Sequence, residues 1–486
     1  MMHLTGTPPG TAGPDRRAVL RAGAAGALAL TAGGLTGAPA APAAKAKACI
    51  LLFLYGSPPQ HETFDPKPDA PREVQGELRS APTAVPGVRF CELLPKVARI
   101  ADELTVVRSM THPYPVHGVA YAVSGLPAYD PSLEARPRDA RHWPYIGSVV
   151  DYLREKAGAP AAPGVPRNIA LPWMLNSKTD LLVNAGPFAA FLGQAHDPVW
   201  TDYTGAGVRP VPRYTDGQTK DFIDPFGGCT AGGRFHLSDA AVPPPDVPLE
   251  RVGGRLELLG RMDQARRGPA GAPFDRQRAQ AHALLTSGQV RAALDVTREA
   301  FPVREAYGMT LFGQSCLAAR RLVEAGVTFV SVFWDGFGQF GNCAWDTHNN
   351  HFPRLKEYLL PGFDAAYSGL ITDLKARGLL DDTLVLCISE HGRTPRIDSK
   401  PKGAGRDHWS RAYSAVFAGG GVGRGKVVGA TDKIGGDVKD CPVSPKDVLA
   451  TAYHLLGHAA DMTVPDALGR PLPIAGDGQV RPELIG

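Results

Sequence analysis

Four short stretches of the 486-residue sequence place an imidazole within two residues of a carboxylate. They are Gln60-His61-Glu62-Thr63-Phe64-Asp65, Trp345-Asp346-Thr347-His348-Asn349-Asn350-His351, Glu390-His391-Gly392-Arg393-Thr394 and Arg406-Asp407-His408-Trp409. Each pairing supplies nitrogen lone pairs together with negative charge, the combination that Zn²⁺, Mn²⁺ or a similar cation requires. One His beside an acid in a loop is usually a surface pair or a satisfied local hydrogen bond. Four such places in one chain point instead to metal binding or catalysis. Two further histidines, His112 and His117, stand in the proline-rich stretch Arg108 to Gly118. They suit either substrate contact at the start of a helix or ring packing within a rigid loop. Arg393 offers a planar fork of donors for a phosphate or sulfate, or for a neighbouring acid.

These residues matter only if the elements around them bring them together. Cys49-Ile-Leu-Leu-Phe-Leu-Tyr55 is a continuous apolar run stopped by Gly56-Ser57-Pro58-Pro59, the pattern of a central parallel strand buried on both faces. Val327 to Trp334, Thr383 to Ser389 and Tyr413 to Ala418 predict further buried strands. Helical spacing over Leu93 to Leu104, followed by the short strand Thr105 to Arg108, predicts an opening βαβ unit. A helix is expected to start at Val119, two more across 274–325 separated by Pro302, and another from Phe352 to Arg377, stopped by Gly378. Strands alternating with helices predict an α/β fold with a mostly parallel central sheet flanked by helices on both faces. In such sheets ligands bind beyond the carboxyl ends of the strands, and that is where the His and acid clusters fall. The proline-punctuated segment 160–269 reads as an insertion covering the sheet. The run Gly419 to Gly423 reads as a tight turn, because it lacks the Lys-Ser/Thr ending of a phosphate loop.

Composition narrows the rest. Hydrophobic residues at 43% and charged residues at 21% support a substantial core and exclude a broadly disordered chain. Lys+Arg 52 against Asp+Glu 48 leaves a net charge of +4, too slight over this length to suggest nucleic-acid binding. Seven cysteines without a CxxC pair argue against a disulfide framework, and Cys49 and Cys387 read as small buried hydrophobes. Arg16-Arg17 precedes a mild Ala-, Gly- and Leu-rich stretch and then small residues from Ala38 to Ala48, the order of a twin-arginine export signal. The expectation is a signal segment over 1–45, a single domain over 46–486, a periplasmic or otherwise exported location, and no stable membrane span in the mature chain.

The twin-arginine start, HETFDPKPDAP from His61, RSMTHPYPVHGVAYAVSG from Arg108, FGQSCLAARRLVEAGVTFV from Phe312, WDTHNNHF from Trp345, SEHGRTP from Ser389 and GRDHW from Gly405 together resemble the bacterial domain-of-unknown-function 1501 family. That family is similar to a sulfatase-like branch of the alkaline phosphatase superfamily. The resemblance implies a divalent metal (Zn, Ca or Mn) held by Glu390, His391, His408, Asp346 and His348, with Glu62, or else Asp65, as the first carboxylate. It implies a nucleophile near Pro115 or Val116, neither of which has a nucleophilic atom. Thr111, Ser109 or Thr63 stand as substitutes, or a metal-bound hydroxide attacks directly. Arg393 with His112 or His117 would orient the anion. The function implied is an exported metal-dependent hydrolase of sulfate or phosphate esters, its substrate an anionic ester such as a sulfated polysaccharide. The alternative is a catalytically inactive sulfatase-like binding or scaffold protein of the cell envelope.

Overall fold

The computed structural model describes residues 42–159, 162, 164–179, 186–215, 218–237, 258, 288–338, 345–400 and 403–486. The expected signal segment, apart from its last four residues, and much of 238–287, including Leu284 and Leu285, lie outside them.

A nine-stranded sheet organises the chain. Its strands are β1 (Ala48–Leu54), β2 (Leu104–Met110), β3 (Asn168–Leu171), β4 (Val199–Thr204), β5 (Arg234–Leu237), β6 (Phe329–Trp334), β7 (Thr383–Ile388), β8 (Tyr413–Ala418) and β9 (Lys426–Val428). They lie in the order β9-β2-β8-β7-β1-β6-β3-β4-β5. β1 is central and parallel to both neighbours, β6 and β7. β6, β3 and β4 continue in parallel. β8 runs antiparallel between β7 and β2, and β5 closes the far edge antiparallel to β4.

Every residue of β1, β6 and β7 is buried, as continuous apolar runs dictate for strands covered on both faces. Side chains alternate in direction along a strand. Ile50, Leu52 and Leu54 therefore join a core with helices α2 (Leu311–Glu324) and α3 (Leu360–Ala376), whereas Cys49, Leu51 and Phe53 join a second core with α1 (Ile146–Lys156) and α4 (Pro445–Leu455). Local chemistry fixes the helix ends. Thr310 Oγ1 accepts from Gly313 N at 3.1 Å to start α2, and Ser444 and Asp447 form a reciprocal capping box on α4. Gly378, at φ +68°, stops the chain after α3.

Register then sets the functional edge. Leu54 pairs with Trp334, and Phe53 with Ile388, so the carboxyl ends of the three central strands are level.

Three sequence expectations are changed. The opening βαβ unit is spread across the sheet: β7 and β8 lie between β1 and β2, and β2 joins β8 and β9. Within 160–269, the described parts supply β3, β4 and β5, so this segment extends the sheet as well as covering it. Pro302 lies in the first turn of the short helix Phe301–Ala306, where its missing N–H costs nothing, and does not separate two helices there. Among the described residues no helix is long and apolar enough to cross a membrane, and the cysteines are all free.

Candidate functional site

The level strand ends deliver three of the four clusters to one place. Just beyond β7, the main-chain N–H of His391 donates to Ser57 Oγ at 3.1 Å and Gly56 N donates to Glu390 Oε1 at 2.8 Å, so the turn after β1 clasps the turn after β7. Gly56 has φ +90°, and a Cβ there would lie 2.5 Å from the backbone nitrogen of Asp346, so only glycine lets the loop after β6 come this close. His408 arrives by a two-residue antiparallel ladder in which Arg393 pairs with His408 and Gly392 with Trp409. His117 enters from the loop before the short helix Val119–Val123, its ring 5.2 Å from that of Tyr55.

Six side chains converge. His348 Nε2 and His408 Nε2 are 2.9 Å apart, and each is 3.0 Å from Asp346 Oδ1. His391 and His408 rings are 4.3 Å apart, and His117 and His408 rings 4.4 Å. His117 Nδ1 meets Glu390 Oε1 at 2.9 Å and its Nε2 lies 3.4 Å from Asp346 Oδ2. Asp346, His348 and His408 form one set of three donors close enough for a single ion, and His117, His391 and His408 another.

The donors fit a dication. Ligand atoms about 2.0–2.2 Å from one small ion stand roughly 3 Å apart when neighbouring, which matches the Asp346, His348 and His408 triangle. His391 Nδ1 donates to the Gly392 carbonyl at 2.8 Å, which leaves its buried Nε2 as a lone pair. His348 Nδ1 is likewise held by Asp407 Oδ1 at 2.5 Å. Among the described residues, neither His391 Nε2 nor the buried Glu390 Oε2 has a partner. Orphaned acceptors of this kind are costly unless something fills the space between them.

Burial pushes the Asp346 carboxyl up, but the Arg393 guanidinium and hydrogen bonds from His117, His348 and His408 outweigh it and hold Asp346 well below the usual carboxylate range. Burial alone would lower His117, yet its hydrogen bonds to Asp346 and Glu390 raise it to about 9. His391 is driven well down by burial, with the His408 and Arg393 charges adding to the effect, so its imidazole is neutral and ready to bind a cation. His408 is lowered by burial, and the carboxylate beside it does not compensate.

Of the residues expected at the site, Asp346, His348, Glu390, His391, His408 and His117 come together. Glu62 does not. Arg406 grips it at 3.0 Å and 2.5 Å, His351 Nε2 lies 3.4 Å away, and its carboxyl is brought down to about 2 because Arg406 outweighs the cost of burial. Asp65 is also elsewhere, paired with Lys67 at 2.9 Å. Arg393 is fully buried and clamps no anion from outside. It donates to the Gly56, Ser57 and Arg406 carbonyls and to Asp346 Oδ1 at 2.5 Å, serving as the brace between three loops. His112 has both nitrogens engaged, Nε2 donating to the Glu390 carbonyl at 2.7 Å and Nδ1 accepting from Tyr114 N at 3.2 Å, and burial lowers it to about 4. It supports Glu390 from behind. Thr111 is half-buried, with its main-chain N–H on the Val443 carbonyl at 2.9 Å.

Sequence reasoning missed the role of Asp407, although it lies inside the GRDHW motif beside His408. It also missed Asp335, which directly follows β6, is fully buried, accepts from Trp173 Nε1 at 3.1 Å and Asn176 N at 2.7 Å, and has its carboxyl raised by burial to about 7. Its position at a strand end was the available signal.

Four histidines and two carboxylates thus gather beyond the carboxyl ends of the central strands of an α/β sheet, a donor set whose chemistry suits a cation. The chain belongs to the family described as "Protein of unknown function (DUF1501)", whose model matches residues 46–485. No curated protein sequence matches it. Among solved structures it is similar to the PsFucS1 sulfatase from Pseudoalteromonas sp., at 13% identity and TM-score 0.35, with 92% of this chain and 72% of that chain covered. It is also similar to Ps i-CgsB, at 12% identity and TM-score 0.36 over 85% and 72%, and to BT4656, solved with its substrate D-glucosamine-2-N,6-O-disulfate, at 11% identity and TM-score 0.34 over 90% and 82%.

Proposed function

We propose that this protein is a metal-dependent hydrolase of sulfate or phosphate esters, a sulfatase-like member of the alkaline phosphatase superfamily that acts after export by the twin-arginine route. The observation that carries the reading is the triangle of Asp346 Oδ1, His348 Nε2 and His408 Nε2, with edges of 2.9 to 3.0 Å. A divalent ion bound there, or with His391, Glu390 and His117, supplies a Lewis acid and lowers the pKa of water. The chain's own groups do the rest. Arg393 and Gly56 fix the Asp346 loop, and His112 fixes Glu390 through its carbonyl. His117 stands between Glu390 Oε1 and Asp346 Oδ2 and positions the two carboxylates relative to each other. The substrate class is an anionic ester, a sulfated polysaccharide among the candidates.

The test is elemental analysis of protein purified without added metal or a nickel column, followed by turnover on a panel of sulfate and phosphate esters. Stoichiometric metal with turnover supports the reading; the absence of both removes it. A second reading, an inactive binding or scaffold protein of the envelope, is favoured by one observation: Pro115 and Val116 stand where the resemblance places a nucleophile. Stoichiometric metal without turnover, together with retained binding of the esters, supports that reading.

A further inference from the structure

We propose that a second, cationic cavity binds the oxyanion end of a sulfate or phosphate monoester. The cavity, of 220 Å³, is lined among others by His61, Lys67, Gln75, Arg79, Ser80 and Arg89 and shares no residue with the His and carboxylate cluster. It therefore stands apart from the hydrolase reading.

Charge is the first observation. Arg89 is held by Ser80, Nε donating to Oγ at 2.9 Å and Nη2 to the carbonyl at 2.6 Å. Its planar fork is thus aimed by a neutral partner and keeps its charge. Arg79 is exposed, and no acid pairs with its guanidinium among the described residues; only its main-chain N–H meets Glu92 Oε1, at 2.9 Å. Lys67 shares Asp65 with Arg108, at 2.9 Å and 3.6 Å, so one carboxylate serves two cations. A concave surface with surplus guanidinium groups is suited to bidentate recognition of a sulfate or phosphate.

The second observation is that the wall is fixed. His61 is 6% exposed and its Nε2 donates to the Ile434 carbonyl at 2.7 Å. Gln75 is pinned by the Pro68 and Ala70 carbonyls, which keeps the wall beside the cavity in place.

The test is calorimetric titration of the full chain with glucose 6-sulfate, glucose 6-phosphate, glucose and inorganic sulfate. The same titrations are made on Arg79→Glu, on Arg89→Gln and on the cluster variant His348→Ala. Expected are binding of both esters and of inorganic sulfate at millimolar concentration or below, and none of glucose. Arg79→Glu, at an exposed side chain that the fold does not use, should weaken the esters by about tenfold or more, and His348→Ala should leave them bound. Which ester binds more tightly assigns the anion. No ester binding to the wild-type protein overturns the proposal, as does affinity lost in His348→Ala but kept in Arg79→Glu and Arg89→Gln.

Discussion

Asp407 Oδ1 accepts a hydrogen bond from His348 Nδ1 at 2.5 Å, which turns the opposite ring nitrogen, Nε2, toward His408 and Asp346. A carboxylate behind a ligating imidazole fixes its tautomer and raises its basicity, and loss of such a partner typically costs 10–100-fold in metal affinity. Asp407→Asn is therefore expected to weaken metal binding by about that factor while the protein stays folded, because the Asp407 side chain is 45% exposed. A competition titration against a chromophoric chelator, read beside the thermal midpoint, checks both halves of the expectation.

Glu62 and Arg406 form a pair whose side chains are 1% and 0% exposed. Removing one partner of a buried pair leaves the other charge stranded and costs about 3–5 kcal/mol. Glu62→Gln should lower stability on that scale in denaturant unfolding, yet the folded fraction should keep the wild-type metal stoichiometry, since Glu62 lies outside the donor cluster. A loss of metal without a loss of stability would return Glu62 to the ligand set.

The same carboxylate sets a pH dependence. Its folded-state pKa of about 2 lies below the ordinary 4.5, so the stability it contributes is complete above about 4.5 and is lost as pH falls toward 2. Stability curves of the wild type should fall more steeply across that window than those of Glu62→Gln, for which this limb should be flattened.

Gly56→Ala combines a left-handed backbone with a Cβ placed against the Asp346 main chain. The strain is expected to cost about 1–3 kcal/mol, relieved by displacement of the Asp346 loop. Metal content per folded molecule should then fall, which separates this variant from Gly378→Ala, where a Cβ meets open space and the cost is stability alone.

The export route proposed above depends on Arg16 and Arg17. Replacing both with Lys should retain the chain in the cytoplasm of a host with a twin-arginine system, measured by fractionation, with the precursor length preserved. Unchanged export would point to another route.

Much of this was legible in the residues. Apolar runs located β1, β6, β7 and β8 within two residues at each end, and the strand-end rule picked out Glu390, His391 and Asp346 because a buried parallel strand leaves polar chemistry only where it stops. What could not be read was which acid belongs to which base. Glu62 and Glu390 look alike beside a histidine, and only the fold puts Arg406 against the first and His117 against the second. Arg393 is a similar case: a free fork and a fork wrapped on three carbonyls have the same sequence. Nor could the strand order be read: a βαβ unit predicts two parallel strands, and it is the later β7 and β8 that come to lie between β1 and β2.

The pairing of Leu54 with Trp334 and of Phe53 with Ile388 has a consequence for inheritance of the chemistry. A deletion of one residue inside β1 would reverse the sidedness of everything beyond it and withdraw the glycine hinge by some 3.3 Å, the advance of one extended residue. The oily middle of the sheet thus acts as the jig for a polar rim it never touches. Damage to the rim's alignment can begin in a leucine deep in the core.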